Sequence, residues 1–268
     1  MVKDSSHVSD SSYNAARMKL GIVTYNIAKD WDVEKIISTL EPLGFWAVEL
    51  RSTHAHGVEP GISPEKITEV RDRFSRSRVR LLSLGSACEY QSPDPAVRKK
   101  NIEETRGFVE LAHDLGCLGV KVRPNGLPEG VPEEVTIRRI GEALRECGEI
   151  GAGFGVEIWV EVHGRETQEP RRMRAIMDAC GHPNVGVCWN CNPTDVKNGS
   201  IRENFALLKD FIMSVHTHDL PDYPTRELLE LLAEMNYERY LLAEVQASPE
   251  PERYLKFYRA LFEALLPS

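Results

Sequence analysis

Three short stretches carry most of the chemistry this chain can offer: Glu161-Val-His163, Val215-His216-Thr-His218-Asp219 and Leu242-Ala-Glu244. Side chains two residues apart on an extended segment project to the same side. Glu161 therefore shares a face with His163, and His216 with His218. The same split, applied to every apolar run, sets Glu49 with Arg51, Lys121 with Arg123, Glu244 with Gln246, and Asn190 opposite the aliphatic faces. Burying so many ionisable groups without partners would cost on the order of several kcal/mol each. A bound cation or a charged, hydrated pocket removes that cost. Carboxylate, imidazole and amide donors with no thiolate suit Mn²⁺, Mg²⁺, Co²⁺ or Zn²⁺, without choosing among them. The ligands read from this pattern are Glu161, Asn190, His216 and Glu244. The competing reading is an internal salt-bridge network with Arg51, Lys121 and Arg123.

These residues meet only if the segments that carry them are neighbouring strands. Strands are expected over 20–26, 47–51, 80–87, 120–123, 156–163, 185–190, 213–219 and 240–246. Amphipathic segments lie between them, over 32–40 and 95–115 and in a helix opened by Ser63-Pro64, with proline at the first helical position. Gly44, Gly116, Gly155 and Gly181 follow helix ends, as left-handed caps require. Strands alternating with helices imply parallel pairing through right-handed crossovers. Eight such units in about 250 residues match a closed (β/α)8 barrel, an α/β fold that builds its active site at the C-terminal ends of the strands. An open doubly wound sheet usually carries a glycine-rich turn after its first strand. Here that place holds Tyr25-Asn26-Ile27-Ala28-Lys29. Gly151-Ala-Gly153-Phe-Gly155 precedes a strand and reads as a helix stop.

The chain has 268 residues, 41% of them hydrophobic and 28% charged, as in an ordinary globular protein. With 33 Lys+Arg against 41 Asp+Glu the net charge is −8, which argues against a general phosphate-backbone binder but leaves room for a local basic pocket. Six cysteines are too sparse for a disulfide scaffold, so a reducing cytoplasm is expected. No apolar run approaches the roughly 20 residues of a membrane span. The first 17 residues are polar and Ser-rich, read as a flexible tail rather than a secretory signal, with the barrel over 18–268.

On the residues above, together with Leu43-Gly44-Phe45-Trp46-Ala47-Val48-Glu49-Leu50, the chain resembles the xylose isomerase-like TIM barrels. These are sugar isomerases and epimerases, with the endonuclease IV type of repair enzyme among them. The resemblance spans about residues 18–266. It implies a metal site of Glu, Asp, His and Glu on the last four strands, and three positions transfer as Glu161, His216 and Glu244. The Asp position holds Asn190, within Cys188-Trp-Asn-Cys-Asn-Pro193, and Pro193 stands where the family often has a substrate-contacting His. An Asn can ligate through its carbonyl oxygen, with one negative charge fewer.

The implied reaction is metal-dependent isomerisation or epimerisation of a carbonyl sugar or related polyol through an enediolate. Glu161 and Glu244 act as base and acid, and the cation acts as Lewis acid and template. Lys121, Arg123, His163 and His218 hold substrate hydroxyls or a charged group, and Glu49 and His54 join the substrate contacts. Of His54 and His56, one is expected on substrate and the other in solvent. A lyase eliminating from a keto-sugar, keto-glycoside or inosose needs the same enolate, and a changed product mass would identify it. A repair nuclease would want more histidines than the eight present, and a basic face. A barrel with a decayed site, suggested by Asn190, would hold no metal. Barrels of this family commonly associate, so a homo-oligomer is possible. Cys188-Trp-Asn-Cys191 lacks the second pair of a zinc ribbon. Trp159, Trp189 and Tyr90 offer an apolar wall for a sugar ring, and the stretch 85–94 a cover for the pocket, each against a plain packing or connecting role.

Overall fold

The computed structural model describes residues 18–267; the tail expected over 1–17 lies outside them. From β1 (Lys19–Val23) the chain passes through a single turn, α1 (Tyr25–Ala28), into α2 (Val33–Leu43) and β2 (Ala47–Arg51). There follow α3 (Pro64–Ser75), β3 (Arg80–Glu89), α4 (Pro95–Leu115), β4 (Gly119–Arg123), α5 (Glu133–Phe154) and β5 (Glu157–Glu161). The last third holds α6 (Pro170–Cys180), β6 (Val185–Trp189), α7 (Arg202–Leu208), β7 (Ile212–Thr217), α8 (Thr225–Glu234), β8 (Tyr240–Ala243) and α9 (Pro251–Leu265). Each strand pairs in parallel with the next, and β1 closes on β8, with Lys19 opposite Tyr240 and Ile22 opposite Ala243. The expected (β/α)8 barrel forms, with α1 as an addition. No helix among the described residues is long and apolar enough to cross a membrane.

Helix boundaries follow local chemistry. Asp32 accepts from the Lys35 amide at 2.8 Å, and Ser63 accepts from Lys66 at 3.3 Å ahead of Pro64. The four predicted glycine caps all adopt left-handed backbone, with φ between 57° and 74°. In the glycine run at the end of α5 only Gly155 is the stop. Gly151 lies within the helix, where a Cβ would stand 2.4 Å from the Val156 carbonyl oxygen. The glycine there lets α5 press against the start of β5.

Alternation divides each strand between two cores. Outward residues such as Ile22, Val48, Val120, Ile158, Val187 and Leu241 pack on the helices in the large core. Burying each contributes roughly 1.5–3 kcal/mol. Inward, Val23, Ala47, Leu82, Trp159, Cys188 and Leu242 fill the barrel with a small separate cluster. Gly119 makes room for the largest of them, since a Cβ there would sit 2.5 Å from the Trp159 ring.

Several strands stop short of the expected ends. β1 ends at Val23 rather than residue 26, because Thr24 turns the chain into α1. β5, β6, β7 and β8 end at Glu161, Trp189, Thr217 and Ala243. His163, Asn190, His218, Glu244 and Gln246 therefore lie just beyond the ladder, at the start of the loops. The backbone stays extended past the last strand residue: Val162 still donates to Cys188 at 3.0 Å and Glu244 to Thr217 at 2.8 Å. A period of two persists there, so a pattern of side chains cannot mark where pairing stops. β3 runs longer than expected, to Glu89, so half of the stretch 85–94 is strand. All six cysteines are free and buried.

Candidate metal centre and substrate cavity

His216, on the inward face of β7, has a fully buried ring between two groups of carboxylates. Its Nδ1 lies 3.6 Å from Glu244 Oε2 and 3.9 Å from Glu161 Oε1; its Nε2 lies 3.4 Å from Glu49 Oε1. Donor atoms of Glu161, His216 and Glu244 all lie within 4.8 Å of one another. Behind them, Glu49 accepts from Ser83 Oγ at 2.8 Å, and Lys121 Nζ donates to Glu161 Oε2 at 2.8 Å. Gly85 leaves space for the Glu49 carboxylate, because a Cβ there would stand 2.7 Å from Oε1.

The unmet hydrogen-bonding capacity is concentrated here. Both ring nitrogens of His216, Glu49 Oε1 and Asn190 Oδ1 are buried without a hydrogen-bond partner. A buried polar atom left so costs roughly 1–3 kcal/mol. An internal salt-bridge network is thus only part of the arrangement: Lys121 satisfies one oxygen of Glu161 and leaves these atoms unmet. The donors fit a divalent cation. Glu161, His216 Nδ1 and Glu244 supply oxygen and nitrogen at one point, and Asn190 lines the same cavity. Glu49 stands at the other ring nitrogen, where metal-bound histidines find a carboxylate that fixes their tautomer.

Electrostatics bind the cluster together. Burial works against a charged Lys121, but Glu161, Glu49 and Glu244 outweigh it and raise the ammonium pKa. Burial likewise disfavours charge on Glu244, yet the nearby His216 and His218 rings and the Lys121 charge hold it well below the usual carboxylate range. For His216, burial opposes protonation, while the Glu49 and Glu244 carboxylates overcome it and lift the pKa well above the usual imidazole range. Cys188 and Cys191 are buried with raised pKa values, so their CxxC spacing presents no thiolate.

Above the cluster opens a cavity of about 500 Å³, whose wall includes Tyr25, Arg51, Lys121, Arg123, Glu161, His163, Asn190, Asn192, His218 and Glu244. Of the substrate contacts expected from sequence, Lys121, Arg123, His163 and His218 stand on this wall. Glu49 lies beneath it, against His216. His54 is not on the wall either: its Nδ1 lies 3.2 Å from Thr24 Oγ1. His56 is not solvated but buried, its Nε2 2.8 Å from the Arg51 carbonyl, and burial lowers its pKa to about 4.

The aromatic residue on the wall is Tyr25. Trp159 belongs to the barrel floor, Trp189 faces outward and donates to Tyr223 at 3.1 Å, and Tyr90 bonds Thr105 at 2.6 Å. Gln168, Asn192 and Asp219 also reach the wall from loops without periodicity. A support for His163 escaped sequence reasoning as well. The Glu89 carboxylate only accepts, so it takes the Asn125 amide nitrogen. Asn125 Oδ1 then faces His163 Nδ1 at 3.1 Å, which makes Nδ1 the protonated nitrogen and leaves Nε2 as an acceptor. The signal was Asn125-Gly126, one residue removed from the end of β4, a positive-φ pair with Asn125 at φ 63°.

Comparison with known proteins agrees with this architecture. An inosose isomerase of Halalkalibacterium halodurans is 23% identical over 208 residues, covering 75% of this chain and 72% of that protein. A D-psicose 3-epimerase from Clostridium cellulolyticum, solved with D-tagatose, superposes with TM-score 0.80 at 16% identity, over 94% of this chain and all of the other. The IOLI protein, solved with a zinc atom, gives 0.75 at 18% identity over 92% and 96% of the two chains. At these identities the structural likeness establishes the fold. The sequence profile of the family matches residues 37–262, most of the chain. The chain belongs to the xylose isomerase-like TIM barrel family.

Proposed function

We propose that this protein is a divalent-metal-dependent isomerase or epimerase of a carbonyl sugar or related polyol. The observation that carries the reading is the convergence of Glu161, His216 and Glu244 donors within 4.8 Å beneath a polar cavity of about 500 Å³. The names of the relatives, an inosose isomerase and a psicose epimerase among them, point to the same reaction class. Glu161, His216 and Glu244 would hold the ion, with Asn190 as a neutral fourth ligand. When bound, it would supply Lewis acidity to the substrate carbonyl.

The chain's own residues carry the proton. Glu161 and Glu244, from β5 and the end of β8, act as base and acid at the carbon beside the carbonyl. Lys121 holds Glu161 Oε2, so the carboxylate presents its other oxygen in a fixed direction. His163, with Nε2 as acceptor, takes a substrate hydroxyl, and His218, 3.5 Å from Glu244, approaches the opposite side. The dry floor beneath keeps bulk water from below. Incubation of the metal-loaded protein with keto-sugars in D2O tests the reading. Deuterium entering the carbon beside the carbonyl, in an isomeric product whose mass differs from the substrate's only by the exchanged deuterium, is the expected result. Turnover without exchange refutes the proton shuttle, and loss of water or an aglycone identifies a lyase.

A further inference from the structure

The two cations at the mouth of the cavity are held less tightly than Lys121 within it. Lys121 is locked to Glu161, whereas the Arg51 guanidinium has no carboxylate partner among the described residues. It lies over the Tyr25 ring, 5.6 Å from the centroid. Stacking occupies the face of a guanidinium and leaves its edge N–H groups free. Arg123 donates through one nitrogen to the Ala87 carbonyl at 3.2 Å, and its Nε is buried with no partner. Its ion pair with Glu89 is loose, at 3.7 Å, because the Glu89 oxygens accept hydrogen bonds from Asn125 and Gln91. Arg51 and Arg123 are the last residues of β2 and β4, so they flank β3 on one rim, about two strand spacings or roughly 10 Å apart.

This rim, with Arg51 free of any carboxylate among the described residues and Arg123 only loosely paired, stands on a protein of net charge −8, where surface cations readily find acidic neighbours. Neutral hydroxyls do not need guanidinium groups; planar oxyanions match their fork of donors. Resting on the isomerase reading, we infer that the substrate carries an anionic group, a carboxylate or a phosphate monoester, held by Arg51 and Arg123 at the cavity mouth while its carbonyl end reaches the Glu161–His216–Glu244 cluster. The substrate class is then an acidic sugar rather than a free neutral one.

The test compares D-fructose, D-fructose 6-phosphate and D-fructuronate, which share a keto end and differ at the far carbon. Equilibrium binding to the zinc-loaded protein is measured by calorimetry for wild type, Arg51→Gln and Arg123→Gln. At least one anionic sugar is expected to bind about tenfold or more tightly than fructose, as a charge-assisted contact predicts. Each substitution is expected to shrink that ratio, and Arg→Lys to retain part of it. A preference for the phosphate or for the uronate alone identifies which anion is taken. Three sugars binding equally, none binding, or substitutions that leave the ratio intact overturns the inference. Hydrogen exchange of the same sugars in D2O is read separately: its absence despite selective anion binding would defeat the isomerase reading and leave the anion subsite standing.

Discussion

Two layers inside the barrel, one residue pair apart along the same strands, are built on opposite physics. In the lower layer Ala47, Gly119, Trp159, Cys188 and Leu242 face inward; two residues on, Glu49, Lys121, Glu161, Asn190 and Glu244 do. About 6–7 Å of strand separates them. The lower layer is held by contact, down to a glycine that yields its side-chain volume to Trp159. The upper layer is held by charge that only partly closes on itself. The apolar floor keeps water from the underside of the charged layer, and in that low-dielectric setting an unpaired donor or acceptor is costly. The same floor that stabilises the fold therefore makes the layer above receptive to a cation.

Substitutions can separate the two. Trp159→Ala should produce the largest loss, about 3–5 kcal/mol from transfer and cavity terms, read by denaturant unfolding. Its zinc stoichiometry should be unchanged; a simultaneous loss of metal would show that the floor also shapes the site. Lys121→Met leaves Glu161 without its partner and should destabilise the metal-free protein by about 3 kcal/mol. Saturating zinc should narrow that gap, whereas the Trp159 deficit should persist.

Glu49→Gln should alter affinity more than folding. By losing the carboxylate that orients His216, it should weaken metal binding by about 10–100-fold in chelator competition, with coordination stoichiometry retained. An equal weakening by Ser83→Ala alone would shift the orienting role to the hydroxyl. The smallest effect is a slope. The metal-free imidazole of His216 has a raised pKa, so a cation must displace its proton. Apparent affinity should fall as pH falls below that pKa, by up to about tenfold per unit, with proton release visible in weakly buffered solution. A flat profile with no release would mean that His216 is neutral before metal arrives.

Much of this comparison was legible as alternation. Trp159 and Glu161, or Leu242 and Glu244, are two apart in sequence and fall on one face, so the inward groups could be read before any strand was placed. Alternation says nothing about who stands behind whom. Glu49 looked like a wall residue because it shares its face with Arg51; its place under His216 depends on the register of β2 and on the space left by Gly85. Loop contributions were unreadable for a related reason. Tyr25 reaches the wall because Thr24 ends β1 early, and the Glu89–Asn125–His163 chain joins segments 36 and 38 residues apart. His56, which looked free, is consumed in pinning the loop after β2 to the Arg51 carbonyl.

The six buried thiols have a practical consequence. None is exposed in the native fold, and they lie on different layers, with Cys188 in the floor, Cys147 within α5 and Cys180 at the end of α6. An alkylating reagent can reach them only through opening of the structure. Mass spectrometry of the labelled cysteines against time would thus rank the local opening rates of the interior, without a probe having to be introduced, and show whether metal slows the floor or only the helices around it.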